Sequence, residues 1–229
     1  MKPRILLINL ILLSSICYSF NKLSLSFVRT VDTGEGRDIS KGTIYYDYKK
    51  AILKITEPVL QWMILSMNQT IIFYPEEKHL LTIKSKSPTM LPFFQSFIGI
   101  IESDFGLSKI GYKLDDTEFK GDTLFTYWIL PEKYKGIQSK YILSFLNDKI
   151  IGLKLFNNQN VIIKSQFGDH YPYGGFYFPL KVNIIYYNKE DGPVMEKIIY
   201  TKPVFDKPFP EEIVNFKIPE NIKRKEIEW

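Results

Sequence analysis

The chain has little of what most metal and thiol sites need. Among its 229 residues there is one cysteine, Cys17, and there are two histidines, His79 and His170. A single cysteine excludes a disulfide within the chain, and the two histidines lie too far apart in sequence for the HExxH spacing of a zinc hydrolase. The sequence therefore predicts neither a metal site nor a cofactor.

Alanine is almost absent as well, since Ala51 is the only one. Because alanine is the best helix former, a mostly helical fold is improbable. Isoleucine, tyrosine and phenylalanine are plentiful instead, and β-branched and aromatic residues favour strands. The composition predicts a mainly β protein, and the length fits one large β-rich domain.

The sequence motifs of common enzymes are also missing. There is no GxSxG motif, no Walker loop and no glycine-rich dinucleotide loop. The acidic pairs Asp115/Asp116 and Glu211/Glu212 are adjacent residues in predicted turns, where neighbouring side chains point apart, and this suits turns and caps better than a glycosidase pair. We predict no catalytic residue and no enzyme, with a hydrolase of unknown type as the least favoured alternative.

The formal charge of +5 raises the question of nucleic acid. Lys223, Arg224 and Lys225 form the densest basic cluster, but Glu226 and Glu228 follow at once. Because no other basic run is long enough to track phosphates, we predict no nucleic-acid partner.

The first nineteen residues have the three parts of a secretory signal peptide. Lys2 and Arg4 precede an apolar stretch, 5–16, which is short for a membrane span, and small residues follow it. Cleavage after Ser19 would leave a domain of residues 20–229 without a thiol and with a formal charge of +3. The alternative is a lipidated Cys17, although Ile16 is bulky where a lipoprotein signal has a small residue.

Short segments of alternating polarity follow. Leu23, Leu25 and Phe27 alternate with Ser24 and Ser26, which is typical of a half-buried strand. One helix is predicted at 91–101, where apolar residues have helical spacing, and a loop at 169–178. Because a sheet of about ten or more strands must curl, the sequence predicts a strongly curved antiparallel sheet with a small helical content. Further strands are predicted at 43–48, 52–56, 61–66, 70–74, 80–83, 111–114, 124–130, 141–146, 150–156, 161–167, 180–187 and 195–201.

Four segments share a pattern of strands and turns that is known from one family. A strand opens with a glycine at 42–45, a strand closes on a proline at 53–58, and a strand pair covers 63–74. Residues 216–221 match the closing strand of the pattern, in which a Phe and a Pro precede a glycine, and Asn221 stands near that glycine. This pattern resembles the LolA family of periplasmic lipoprotein carriers, and the resemblance in strand order covers most of the chain after the signal.

The resemblance implies an incomplete barrel whose apolar cavity is covered by a short helical lid. Such a protein would bind the acyl chains of lipoproteins or lipids in the periplasm and carry them toward the outer membrane without covalent chemistry. It implies an inner-membrane releasing complex and an outer-membrane acceptor, and we expect a monomer. The residues expected in the cavity and lid are Ile44, Tyr46, Leu53, Ile55, Met63, Leu65, Ile71, Phe73, Phe93, Phe94 and Phe97.

Two alternatives remain open at this stage. The apolar interior is either a cavity for a ligand or an ordinary filled core, and the sequence does not decide between them. The same fold also suits a sensor or regulatory domain that docks onto a membrane protein and carries no lipid.

Three features depart from the family pattern. The first strand begins within four residues of the predicted cleavage site, whereas the family starts with an amphipathic helix. Tyr48 and Lys49 stand where the family has an Arg-Pro pair whose Arg helps to hold the lid closed, so that role does not carry over. Segments 179–187 and 197–200 add a hairpin that is more typical of the broader LolA-like sorting proteins.

Overall fold

The computed structural model describes residues 20–47, 50–66, 69–84, 97, 99–102, 104–130, 140–188 and 192–228. The predicted signal peptide, 1–19, lies outside these residues and stays a prediction. So do Phe93 and Phe94 of the predicted lid.

The described residues form one sheet of fourteen strands. The strand order across the sheet is β14-β6-β5-β4-β3-β2-β1-β13-β12-β11-β10-β9-β8-β7. The strands are β1 (Lys22–Asp32), β2 (Arg37–Asp47), β3 (Lys50–Glu57), β4 (Gln61–Ser66), β5 (Gln69–Tyr74), β6 (His79–Lys84), β7 (Lys113–Lys120), β8 (Thr123–Ile129), β9 (Lys140–Leu146), β10 (Lys149–Asn157), β11 (Asn160–Tyr173), β12 (Phe176–Asn188), β13 (Gly192–Phe205) and β14 (Lys223–Glu228).

The sheet is curved but does not close into a barrel. Its two edges are β7 and β14, and consecutive strands pair antiparallel on both sides of the central β1–β13 pair. The pairing of β14 with β6 is parallel. The predicted fold class, mainly β with an incomplete barrel, is confirmed.

Strand β1 shows how the sequence places the sheet around its core. Leu23, Leu25 and Phe27 are buried, whereas the residues between them are not. At Phe27 the neighbouring strand carries Gly42. A Cβ at Gly42 would collide with the backbone oxygen of Lys54 and lie 3.0 Å from the Phe27 ring, so only glycine allows β2 to approach this closely.

Residues 169–178, predicted as a loop, are strand instead. Strand β11 continues to Tyr173 and β12 begins at Phe176, with Gly174 and Gly175 alone forming the turn. Both glycines have positive φ, 52° and 84°, as a tight two-residue hairpin requires. The aromatic residues are therefore paired across the hairpin, and the Tyr173 ring stacks on Phe205 with ring centroids 4.0 Å apart.

The C-terminal segment also differs from the prediction. Residues 216–221, expected to form the closing strand, contain no strand; a short helix, Glu211–Val214, precedes them. The last strand is β14, which includes the basic residues 223–225. The reason is packing, because the Phe216 side chain turns onto the sheet and stacks on Trp62, with centroids 4.2 Å apart.

Two groups of buried side chains lie on opposite faces of the sheet. The larger group, which we call the inner cluster, joins side chains from both halves of the sheet and from residues 97–112. The smaller group, the outer cluster, lies between β3–β6 and the C-terminal segment. Its buried members are Ile52, Trp62, Phe73, Leu80 and Ile213, with Phe209, Phe216, Ile218 and Ile222 packed against them.

Candidate functional site

The inner face of the sheet gathers most of the residues predicted for a cavity. Alternate positions of β2, β3 and β4 point toward this face, so one side chain in two contributes to it. All six of the predicted residues on these strands are buried members of the inner cluster: Ile44, Tyr46, Leu53, Ile55, Met63 and Leu65.

Ile71 and Phe73 do not share that face, which corrects the sequence prediction. Phe73 pairs with Trp62 and belongs to the outer cluster, against which Ile71 also packs. Ile72, paired with Met63, takes the inward position. Residues 71–73 are all apolar because β5 is covered on both faces, and such a run gives no sign of which side chain points inward.

Phe97 was predicted as a lid residue, and the structure places its side chain inside the inner cluster. It is 0% exposed, and residues 97 and 99–101 are helical. Its ring centroid lies 6.0 Å from that of Tyr46, and 6.1 Å from those of Phe178 and Tyr200. A side chain from outside the sheet therefore occupies the centre of the inner cluster.

The chain that follows Phe97 continues this packing. Phe105 and Leu107 are buried, and the Phe105 ring lies 5.9 Å from Phe167 on β11. At Gly99 an added Cβ would lie 2.5 Å from the Phe105 ring, so the absence of a side chain lets that ring close over the helical turn. The described residues of 97–107, which we call the covering segment, thus pack on the inner face from β2 to β11 through Phe97, Phe105 and Leu107.

Sequence reasoning missed the other half of this interior. The strands β9–β13 were predicted, but no inner residue was assigned to them. Alternation in β10 and β13 is the signal that could have found them, since Leu153, Leu155, Ile198 and Tyr200 are buried at every second position. The remaining buried apolar residues that these strands contribute to the inner cluster are Tyr141, Leu143, Phe167, Phe178, Val182, Ile184 and Phe205.

One ionised pair is embedded in the inner face. The Glu196 carboxylate on β13 is buried, and Arg29 Nε on β1 donates a hydrogen bond of 2.5 Å to its Oε1. The hydroxyl of Tyr186 on β12 donates to Oε2 over 2.7 Å. Burial, together with the negative charge of Glu196, raises the pKa of the Tyr186 phenol far above its ordinary value, so this hydroxyl stays a donor.

Two other tyrosine hydroxyls are buried without a hydrogen-bond partner among the described residues. They belong to Tyr200, on the inner face of β13, and to Tyr112, whose ring packs edge-on against Tyr141 at 4.9 Å. Burial raises the pKa of both phenols, and the Glu196 charge raises that of Tyr200 further. Both groups are therefore neutral donors.

Both histidines lie in strands of the sheet. His170, predicted in a loop, lies in β11, where its Nε2–H donates to the carbonyl oxygen of Ile150 over 2.7 Å. Its partial burial lowers the pKa of the imidazole. His79 begins β6 and stacks on Tyr74. In the part of the chain that the structure describes, no three His, Cys, Asp or Glu residues come together in a way that would hold a metal ion.

Within the described ranges, no helix has both the length and the apolar character that crossing a membrane requires.

Comparison with known proteins gives structural matches only. No family model matches the chain, and no curated protein matches it. A LolA superfamily protein from Nitrosomonas europaea superposes with a TM-score of 0.59 at 12% identity, over 86% of this chain and 90% of that one.

Two further solved structures are similar. A DUF1329 family protein from Desulfovibrio piger has a TM-score of 0.66 at 10% identity and covers 93% of this chain and 97% of its own. A putative outer membrane lipoprotein-sorting protein domain from Vibrio parahaemolyticus has a TM-score of 0.63 at 10% identity, over 86% and 91%. At these identities the likeness concerns the fold, and it confirms the resemblance in strand order: the chain has a LolA-like fold.

Proposed function

We propose that this protein is a carrier that binds the acyl chains of lipoproteins or lipids against the inner face of its sheet and releases them without covalent chemistry. One observation carries the proposal: an apolar inner face of a LolA-like sheet is covered by a short segment that includes Phe97, Phe105 and Leu107. The name of the Vibrio relative, a putative lipoprotein-sorting domain, supports the same class of cargo.

The energetics of acyl chains explain why such an interior is useful. Exposing an acyl chain of about 16 carbons to water costs roughly 0.8 kcal/mol of free energy for each CH₂, which amounts to more than about 10 kcal/mol per chain. A lipid with two or three chains therefore needs an apolar shelter to cross an aqueous compartment. The inner face offers one, provided that the covering segment can be displaced.

Displacement of Phe97 is the step that binding requires. The ring fills the space between Tyr46, Phe178 and Tyr200, so an acyl chain in that space must replace it. The packing of the Phe97 ring opposes this exchange, but a long acyl chain removes more apolar surface from water than one ring does, and neither the sheet nor its hydrogen bonds need to change. The covering segment thus acts as the lid of this proposal.

The proposal also includes the cellular location of the carrier and its protein partners. The predicted signal peptide supports export, and the resemblance supports the periplasm as the compartment and the outer membrane as the destination. An inner-membrane releasing complex and an outer-membrane acceptor would then hand over and receive the cargo. We propose that the protein acts as a monomer.

The second candidate is a sensor or regulatory domain that docks onto a membrane protein without carrying lipid. The observation that favours it is the complete burial of Phe97, because a permanently filled interior has no room for cargo. The two candidates differ in whether lipid binds.

A pair of neighbouring substitutions tests the carrier. Leu53 and Ile52 are adjacent in β3 and both are buried, but Leu53 faces the inner cluster and Ile52 the outer one. Leu53→Phe adds volume to the inner face and should weaken binding of a fluorescent fatty acid at least several-fold. Ile52→Phe adds volume to the opposite face and should leave this affinity unchanged.

Native mass spectrometry of the protein purified from its own host provides the second arm. A bound lipid mass that disappears in Leu53→Phe supports the carrier. Absence of lipid from the purified protein, together with failure to bind the fluorescent probe or a tripalmitoylated lipopeptide, would exclude it and favour the docking domain.

A further inference from the structure

The hydroxyl of Tyr200 is the clearest unexplained polar group of the inner face. The residue is 1% exposed, and its oxygen has no hydrogen-bond partner among the described residues. A buried donor without an acceptor costs free energy, and native proteins contain few of them. Phenylalanine would fill the same space without that cost.

The surroundings of Tyr200 are apolar where a ligand would enter. Its ring packs against Phe178 at 5.5 Å and against Phe97 at 6.1 Å. Both rings belong to the inner cluster, and Phe97 is the side chain that an acyl chain must replace. The Tyr200 side chain therefore lines the space that opens when Phe97 leaves.

The buried charge on the same face as Tyr200 already has its partners. Glu196 is on the same strand and the same face as Tyr200, but Arg29 and Tyr186 bind its two carboxylate oxygens. Tyr200 itself remains neutral, because burial raises the pKa of its phenol. The group thus offers one neutral donor and no compensating cation.

We propose that the Tyr200 hydroxyl donates a hydrogen bond to the carbonyl oxygen of an ester-linked acyl chain. A carbonyl accepts such a bond without bringing a charge into an apolar site, whereas the carboxylate of a free fatty acid would be buried without a cation and near Glu196. The inference rests on the proposed function and names its preferred substrate class, namely esterified chains, which should bind more tightly than free fatty acids do.

Matched lipids test this inference. Dipalmitoyl phosphatidylcholine and its di-O-hexadecyl ether analogue have the same head group and the same chain length, but only the first has ester carbonyls. Their affinities for wild-type protein and for Tyr200→Phe are measured by displacement of a bound fluorescent probe. We expect wild-type protein to prefer the ester by about five- to tenfold, as one buried hydrogen bond would give, and the variant to bind both lipids equally.

Tyr112→Phe is the control variant, because it removes a second unpaired hydroxyl from the inner cluster, next to Tyr141 on β9. It should keep the ester preference. A preference that survives in Tyr200→Phe, or that is lost equally in Tyr112→Phe, overturns the assignment to Tyr200. Failure of wild-type protein to bind either lipid would instead contradict the proposed function itself.

A measurement on the wild-type protein covers the case in which Tyr200→Phe does not fold. The infrared band of a ¹³C-labelled ester carbonyl should move to lower frequency when the lipid is bound, relative to the same lipid in an apolar solvent. A bound lipid with an unshifted band would show that no donor reaches the carbonyl, and would overturn the inference.

Discussion

Arg29 and Glu196 join the two central strands of the sheet through an ion pair on its inner face. The Nε atom lies 2.5 Å from Oε1, and the glutamate side chain is 1% exposed. Because a buried carboxylate that loses its cation keeps its desolvation penalty, Arg29→Met should lower the free energy of unfolding by about 3 to 5 kcal/mol. Urea denaturation measures the loss.

The double variant Arg29→Met/Glu196→Gln separates this cause from lost packing. It removes the charge that the single variant leaves behind, so most of the stability should return. A double variant as unstable as Arg29→Met would indicate that the aliphatic part of Arg29, and not its charge, is what the sheet requires.

Tyr186 and Tyr200 allow a comparison of how much a buried hydroxyl contributes to stability with and without a hydrogen-bond partner. The Tyr186 hydroxyl donates to a buried carboxylate, so Tyr186→Phe should cost about 1.5 to 3 kcal/mol of stability. The Tyr200 hydroxyl has no partner in the described part of the chain, so Tyr200→Phe should leave the stability of the lipid-free protein unchanged or raise it. Thermal unfolding of the two variants side by side tests this. A clear loss in Tyr200→Phe would reveal an acceptor for that hydroxyl in the lipid-free state.

The loss of folding stability at acidic pH should depend on His170. Partial burial lowers the pKa of its imidazole in the folded protein, so the unfolded chain takes up the proton more readily. Its contribution to stability is therefore present above the ordinary pKa of about 6.5 and is lost as pH falls through the lower folded-state value. Between pH 7 and pH 5, wild-type protein should lose stability more steeply than His170→Gln, in which a side-chain amide can still donate to the Ile150 carbonyl. Parallel slopes in urea denaturation at pH 5, 6 and 7 would contradict this role.

The sequence predicted most strands because their pattern is local. In β1 and β3, apolar residues alternate with polar ones, and this alone indicates both the strand and its buried face. The six inner residues from Ile44 to Leu65 were expected from the family resemblance, and the alternation of Leu53 and Ile55 with Lys54 agrees with it for β3. The close approach of Lys54 to Gly42 explains why the strand pattern at 42–45 opens with a glycine.

Features that depend on a second element were not predictable in the same way. Ile71 and Phe73 were placed on the wrong face, because the C-terminal segment covers the outside of β5 and makes both of its faces apolar. The turn at Gly174 and Gly175 was hidden within a stretch rich in aromatics and glycine that resembles a loop. The Arg29–Glu196–Tyr186 network joins β1 to the β12–β13 hairpin, with Arg29 and Glu196 separated by 167 positions in the sequence, and no single segment of the sequence indicates it.

Phe97 provides the sharpest test of the lid. Its ring is fully buried among Tyr46, Phe178 and Tyr200, so Phe97→Ala should lower the free energy of unfolding by about 3 to 5 kcal/mol. The same change removes the side chain that an acyl chain must displace. We therefore expect the affinity for the fluorescent fatty acid to rise by about tenfold or more. In wild-type protein the probe must overcome the packing energy of the Phe97 ring, and in the variant that cost is gone.

Phe73→Ala is the matched control, because it removes a ring that is also buried, at 6% exposed, from the outer cluster. It should reduce stability in the same way but leave the affinity for the probe unchanged. Since the contacts of Phe97 are apolar, the difference in affinity between Phe97→Ala and wild-type protein should persist at high salt. If Phe97→Ala binds no more tightly than wild-type protein, or if Phe73→Ala gains as much affinity, displacement of Phe97 is not the step that opens the interior, and the covering segment is part of an ordinary core.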